Sequence, residues 1–460
     1  MIVMPHRIFR IVPLVLAAAV FVAGMPRRAD AGQARVQNHV NSGESHSEWF
    51  LVFPFENESR VANLDWLGDG LSELTAERLQ DKHVSVLTRQ DRLATLEKMG
   101  LPDSARFSHA TLVKIATEAD ADALVYGRFQ SDGKTATIEA RVLQLSPPSL
   151  SPAFTATGPI QDLLRLHARL AWQILCAIDP ASCPPEGANR DESSFSEPPS
   201  SLRPDALENF VRGLAASEND ERLRLLREAA RLEPNWDRPT FELGQIYFDR
   251  RDCDSALVWL SRVPPNRPDG ALASFDAGVC HLQRNDLPRA EAAFSGLLER
   301  ARGGPDSLPE LPEIDNNLGI ARLRQGKWNE ASTEFERATA LDEGEADYWF
   351  NLGVAKLVGK QLPAATAPLE RATKIDPDDK DMRALLIATL ESVGRKSDAA
   401  ELRNVAGDAG KSAPAVNIQD VSAITRLARI SRNLDRALLR PAAEGAGQAP
   451  QKPEDDGAAK

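Results

Sequence analysis

Two hydrophobic rhythms divide the chain near residue 200. Between Trp49 and Asp179 short apolar runs alternate with amphipathic stretches. Trp49–Phe55 (WFLVFPF) is dense in aromatic and branched residues, the composition of a buried strand, and Pro54 marks its end. Leu67, Leu71, Leu74 and Leu79 then recur at helical spacing and predict an amphipathic helix over 66–80. A strand at 84–88 follows, then helices over 89–99 and 108–119 and a strand at 123–129. Ser131-Asp132-Gly133-Lys134 supplies hairpin-turn chemistry before an alternating strand over 135–145. A further strand near 153–157 and a helix over 159–178 complete an α/β domain spanning 48–179.

Beyond it the rhythm changes. Nearly half of the stretch from Pro180 to Pro204 is proline or serine, the composition of a linker. The chain then repeats itself with a period of about 34 residues. Thr240, Leu243-Gly244, Tyr247, Ala256, Leu260 and Pro268 set a pattern whose slots one period on hold Ala277-Gly278, Ala290 and Phe294. After a seven-residue insertion containing Gly303-Gly304-Pro305 it resumes with Asn317-Leu318-Gly319, Ala331, Phe335 and Ala338. One more period brings Trp349, Asn351-Leu352-Gly353, Ala365, Leu369, Ala372 and Pro377. The small residues let two helices of one unit cross closely. Four units span 237–270, 271–304, 312–345 and 346–379, flanked by weaker ones at 205–236 and 380–413, where Ile387 replaces the small residue. The prediction is a multidomain chain: the α/β domain, then an all-α solenoid of five to six helix-turn-helix repeats over 205–413.

This spacing resembles that of tetratricopeptide repeat arrays. The resemblance implies a right-handed scaffold that binds proteins or peptides and has no catalytic constellation of its own. It also implies that each unit's first helix lines the concave face. By register the groove candidates are Phe241, Gln245 and Phe248; Phe275, Val279 and Leu282; Asn316, Ile320 and Leu323; and Phe350, Val354 and Leu357. Most are apolar, so both a partner surface and plain core packing fit them. The asparagines and lysines with which some such domains clamp a terminal carboxylate do not occupy these slots. An apolar or amphipathic peptide segment is the expected partner.

A second resemblance lies in the α/β part. Phe53-Pro54-Phe55-Glu56-Asn57, then Trp66-Leu67-Gly68-Asp69-Gly70-Leu71 with Glu73, then Ala121 to Gly127 are similar to the amino-terminal domain of the TolB translocation protein and of related domains fused to tetratricopeptide repeats. That likeness, over most of the α/β domain, implies a non-enzymatic interaction or assembly module. Read from the residues alone, the glycines serve close backbone approach.

At the amino terminus His6, Arg7 and Arg10 precede an uncharged run from Ile11 to Met25, and Ala29-Asp30-Ala31 offers the small residues a signal peptidase requires. The expectation is a signal peptide over 1–31 and a mature chain starting at Gly32, hence a periplasmic or secreted protein. The alternative is an uncleaved inner-membrane anchor, since Arg27 and Arg28 lie between the apolar run and the cleavage site. Four cysteines in an exported chain suggest two bridges, with inert thiols the other reading. Asp179-Pro180 turns the chain between Cys176 and Cys183, and adjacent helices would bring Cys253 and Cys280 together.

Sixty-seven acidic residues against 55 basic ones give a net charge of −12, which argues against nucleic acid. One stretch runs against this balance. From 417 to 440 the stripe Ile418, Val421, Ile424, Leu427, Leu434 and Leu438 predicts an amphipathic helix, beside Arg426, Arg429, Arg432, Arg436 and Arg440. It would cap the last repeat or touch an anionic lipid surface or acidic partner. Residues 441–460 have a disordered composition. Chemical motifs fail on inspection: Gly133-Lys134-Thr135 has Arg128 where a phosphate loop needs glycine, and Lys380 and Asp381 interrupt the calcium-loop-like Asp376, Asp378 and Asp379. Asp65, Asp69 and Glu73 share a helix face, as an ion site or as a solvated acidic helix start. No cofactor or metal is expected.

The expected function is therefore an exported, non-catalytic scaffold for envelope assembly or regulation. The alternative is a divergent enzyme or small-ligand sensor in the α/β domain, docked by the repeats. Amino-terminal sequencing of the exported protein is predicted to begin at Gly32; a start at Met1 would establish the anchored form.

Overall fold

The computed structural model describes residues 48–59, 63–80, 84–103, 106–180, 183, 202–302, 308–405 and 416–434. The expected leader with its Ala31–Gly32 cleavage point, most of the linker and the 441–460 tail lie outside the described residues.

In the α/β part, β1 (Trp49–Val52) lies between β3 (Ser85–Val86) and β4 (Ala123–Ser131), all three parallel. The short β2 (Glu56–Asn57) pairs in parallel with the far end of β4. β4 turns back into antiparallel β5 (Thr135–Leu145), which also pairs β6 (Pro148–Leu150) and β7 (Phe154–Pro159). The turn is built by Asp132, whose Oδ1 accepts from the amides of Lys134 and Thr135 at 2.8 and 2.7 Å. Parallel strands need cover on both faces, and here they have it. Phe50, Val52, Val125 and Phe129 pack against α1 (Trp66–Gln80) and α4 (Leu163–Ile178). Leu51, Phe53 and Leu124 pack against α2 (Arg89–Lys98) and α3 (His109–Glu118).

One buried polar contact ties α1 to α4. Thr75 Oγ1 donates to Leu71 O at 2.7 Å, so its 2.9 Å contact with His167 Nε2 uses the ring N–H as donor.

Among the described residues twelve helices then form six hairpins: α5 (Pro204–Ala215) with α6 (Asn219–Leu232), α7 (Asp237–Asp249) with α8 (Cys253–Leu260), α9 (Gly270–Gln283) with α10 (Leu287–Arg302), α11 (Pro312–Arg324) with α12 (Trp328–Leu341), α13 (Ala346–Val358) with α14 (Leu362–Ile375), and α15 (Lys380–Ser392) with α16 (Lys396–Val405). The backbone repeats as the sequence does. Arg251, Asn285, Gly326, Lys360 and Gly394 take positive φ in the hairpin turns, each at the same place in its repeat. The longer step from Asn285 to Gly326 contains the seven-residue insertion. Close helix crossing explains the glycines: a Cβ on Gly244 would lie 2.5 Å from the Leu260 side chain, and one on Gly319 2.7 Å from the Phe335 ring.

Both cysteine pairs are bonded, Cys176 in the last turn of α4 to Cys183 beyond it, and Cys253 to Cys280 between α8 and α9. The α/β part packs on the first repeats through α1. Leu74 joins the repeat core, Arg238 pairs with Glu73 at 2.8 Å, and Trp236 Nε1 donates to Glu77 at 3.4 Å. The acidic face of α1 therefore has protein partners, since Asp65 accepts from Asn57 and Asp69 pairs with Arg92.

Of the amphipathic helix expected over 417–440, residues 435–440 with Arg436, Leu438 and Arg440 lie outside the described residues, and among the described ones it forms only in part. Helix α17 covers Val421–Arg426, and residues 428–434 run without helical structure. Ile424 and Leu434 of the apolar stripe are buried, but Val421 is 43% exposed. The reason lies in the main chain of Arg429 and Ser431, whose N–H and C=O groups find partners on the repeats.

Burial pushes the His167 imidazole down to about 3, with Arg78 adding to it, so the folded protein holds the ring neutral. The unfolded chain takes up a proton below 6.5, the folded one only near 3. Stability is unaffected above 6.5 and falls as pH drops through that window, by about 1.4 kcal/mol per pH unit from this group. Urea unfolding at several pH values is predicted to show a flatter acid slope for His167→Gln; equal slopes would remove His167 as the cause.

Candidate functional site

The face formed by the first helices of the repeats carries a chain segment across it. After α17, residues 428–434 run over α13, then α11, to α7, counter to the order of the repeats. Its register is set by asparagines. Asn351 Oδ1 accepts from the Arg429 amide at 2.8 Å, and Asn351 Nδ2 donates to Arg429 O at 2.9 Å. Asn317 treats Ser431 the same way, at 2.9 and 2.8 Å. Each carboxamide thus imitates a neighbouring strand, meeting both main-chain groups of one residue. Next-but-one neighbours on the segment, Arg429 and Ser431, face equivalent positions of successive repeats.

Asn316 locks the arrangement. It accepts from Asn351 Nδ2 at 2.7 Å and donates to Arg429 O at 3.1 Å and Ser431 Oγ at 3.0 Å. All three asparagines are fully buried in the complex with the segment. Buried amides of this kind need partners, and main-chain groups with two lone pairs and one donor supply them.

Two arginines anchor the segment at either side. Arg429 Nη1 lies 2.9 Å from Asp347 and 2.8 Å from Asp379, with its guanidinium 4.7 Å from the centre of the Phe350 ring. Burial raises the Asp379 carboxyl, but Arg429 and the amides of Met382 and Asp381 outweigh it and hold it below the usual range. Arg432 stacks 5.0 Å over the Phe248 ring and reaches Phe248 O at 3.4 Å.

The twelve register-derived candidates divide accordingly. Phe248, Asn316 and Phe350 touch the segment. Phe275, Val279, Ile320, Val354, Leu282, Leu323 and Leu357 are buried in the stack, as is Phe241. Gln245 is buried and hydrogen-bonded to Asp276. The contacts of Phe248, Asn316 and Phe350 are polar or cationic, and beside them apolar residues of the segment, Ile424, Leu427, Ala428, Ile430 and Leu434 among them, pack against the repeat core. Asn317, Asn351, Asp347 and Asp379 escaped the register argument. A signal existed, because the two asparagines occupy the same slot before Leu-Gly in successive repeats.

The α/β part holds a cavity of about 630 Å³ beyond the carboxyl end of β1. Some of its ionisable groups engage one another: Arg92, which also donates to Val52 O at 3.0 Å, pairs with Asp69, and Arg128 pairs with Glu139 and Glu58. Burial raises the Asp69 carboxyl against the pull of Arg92. Among the described residues no group of three His, Cys, Asp or Glu is placed to hold a metal, and no helix is long and apolar enough to cross a membrane.

Removing one carboxamide leaves a main-chain pair without its partner, at about 1–3 kcal/mol. Asn317→Ala is therefore predicted to speed tryptic cleavage after Arg429 and Arg432 by about ten-fold or more relative to the array, read by intact mass. Unchanged cleavage rates would remove the asparagine clamp.

The tetratricopeptide repeat family model matches residues 241–305 and 316–380. Among solved structures the chain is similar to YrrB, described as a TPR protein with an unusual peptide-binding site, at 18% identity and a TM-score of 0.34, over 46% of this chain and 98% of that one. It is similar to MamA from Desulfovibrio magneticus RS-1 at 17% identity and 0.33, over 43% and 98%. Pseudomonas aeruginosa PilF gives 13% and 0.36, over 48% and 97%. No curated protein sequence matches the chain. Residues 241–305 and 316–380 are tetratricopeptide repeats.

Proposed function

We propose that this protein is an exported, non-catalytic scaffold whose repeats hold an extended segment of a protein partner across their first-helix face. The reading rests on one observation: Asn317 and Asn351 each pair with both the N–H and the C=O of one residue in a non-helical segment. Such pairing reads main chain, not a side-chain sequence, and so suits a peptide held extended. Selectivity then falls to an arginine between Asp347 and Asp379. The partner is thus an extended, arginine-bearing segment with apolar residues that pack against the array, as Leu427 and Ile430 do here.

The α/β part fits this role as a TolB-like assembly module. Its three sequence motifs converge on each other: Phe55 N donates to Gly68 O at 3.1 Å, and a Cβ on Gly127 would lie 2.5 Å from the Phe55 ring. These residues serve close packing, as expected of a structural element. Export to the periplasm or beyond is supported by the leader pattern and by the two disulfides.

The test uses a labelled peptide of residues 421–434 (VSAITRLARISRNL) and the full-length chain carrying Arg429→Ala and Ser431→Pro, which vacate the face. Saturable binding by fluorescence anisotropy is expected, and Asn317→Ala with Asn351→Ala on that background should abolish it. Binding that survives both asparagine changes would place peptide recognition elsewhere.

A further inference from the structure

We infer that residues 416–434 are an intramolecular stand-in for the partner, so that the groove is closed in the resting chain and opens to a competing segment with the same chemistry. The inference rests on the peptide-binding reading above and adds the identity of the occupant and the partner's pattern. That pattern is an extended stretch with an arginine, a small hydroxyl residue two positions on and a second arginine after it, as in Arg429-Ile430-Ser431-Arg432.

Three observations carry it. The segment meets the array as a ligand does, through main-chain pairs and two arginines, with Ile424, Ala428 and Leu434 as buried apolar anchors and Val416, Ile418, Leu427 and Ile430 partly buried beside them. Docking of this kind is exchangeable, because a competitor of similar shape restores every bond that the segment gives up.

Next, the segment is tethered. Only residues 406–415 separate α16 from the first described residue of the segment. A short tether gives an effective concentration of the order of millimolar, so a segment that binds in the micromolar range on its own stays seated and weakens a free competitor by about 100-fold.

Finally, the segment has a second way to satisfy its backbone. Its apolar stripe from Ile418 to Leu438 follows helical spacing, and helix α17 is already formed up to Arg426. Extending that helix would consume the Arg429 and Ser431 amides internally and is incompatible with the asparagine pairs. Leaving the groove therefore strands no amides, and the two states exclude each other.

The experiment titrates the labelled 421–434 peptide into the full-length wild type and into the Arg429→Ala, Ser431→Pro chain, both checked for helical content. The wild type is expected to bind at least about ten-fold more weakly than the released chain. Equal affinities would overturn the stand-in while leaving the peptide-binding reading intact. Absence of binding in both chains would defeat that reading, and this inference with it. Sedimentation decides whose segment is seated: a monomer is expected, whereas a wild-type dimer that the released chain fails to form would assign the segment to a second copy and overturn the intramolecular assignment.

Discussion

The site depends on the matching of two periods, one repeat along the array and every second position along an extended chain. Same-side residues of an extended segment lie about 7 Å apart, and neighbouring packed helices about 8–10 Å apart. Side chains that lean together close the difference. The 2.7 Å bond between Asn351 and Asn316 shows that lean, and it also fixes which amide atom points at the segment. Arginine contacts at Asp347, Asp379 and Phe248 then set where along the face the segment sits.

A regular array is the condition for this matching. Each hairpin buries its apolar side only against its neighbours, which leaves the two ends of the stack in need of cover. Helix α1 covers the first end with Leu74, held by Glu73 to α7 and by Glu77 to the loop before it. The insertion between α10 and α11 changes the sequence interval without changing the backbone turn, since Asn285 and Gly326 keep the same left-handed conformation. The Cys253–Cys280 bond ties two successive hairpins on the stretch that Arg432 approaches.

Much of the fold was legible from local pattern. The strands and helices of the α/β part follow their apolar periods, and the repeat glycines announce the helix crossings that Leu260 and Phe335 make tight. The site was less so. Register placed Phe248, Asn316 and Phe350 on the face that residues 428–434 cross but could not separate groove from core, because Phe275 and Val354 share the same helical spacing and are fully buried. Residues 428–434 depart from the helical expectation for a physical reason: helical periodicity describes side chains, whereas Arg429 and Ser431 are held by their main chain, to which period is blind. Only the coincidence of Asn317 with Asn351 one repeat apart carried that information.

Amide hydrogen exchange at Arg429 and Ser431 in the full-length protein tests the clamp most directly. Slow exchange at both, against fast exchange at the exposed neighbour Asn433, is the predicted result. Exchange at Arg429 and Ser431 as fast as at Asn433 would contradict a segment held by the asparagines.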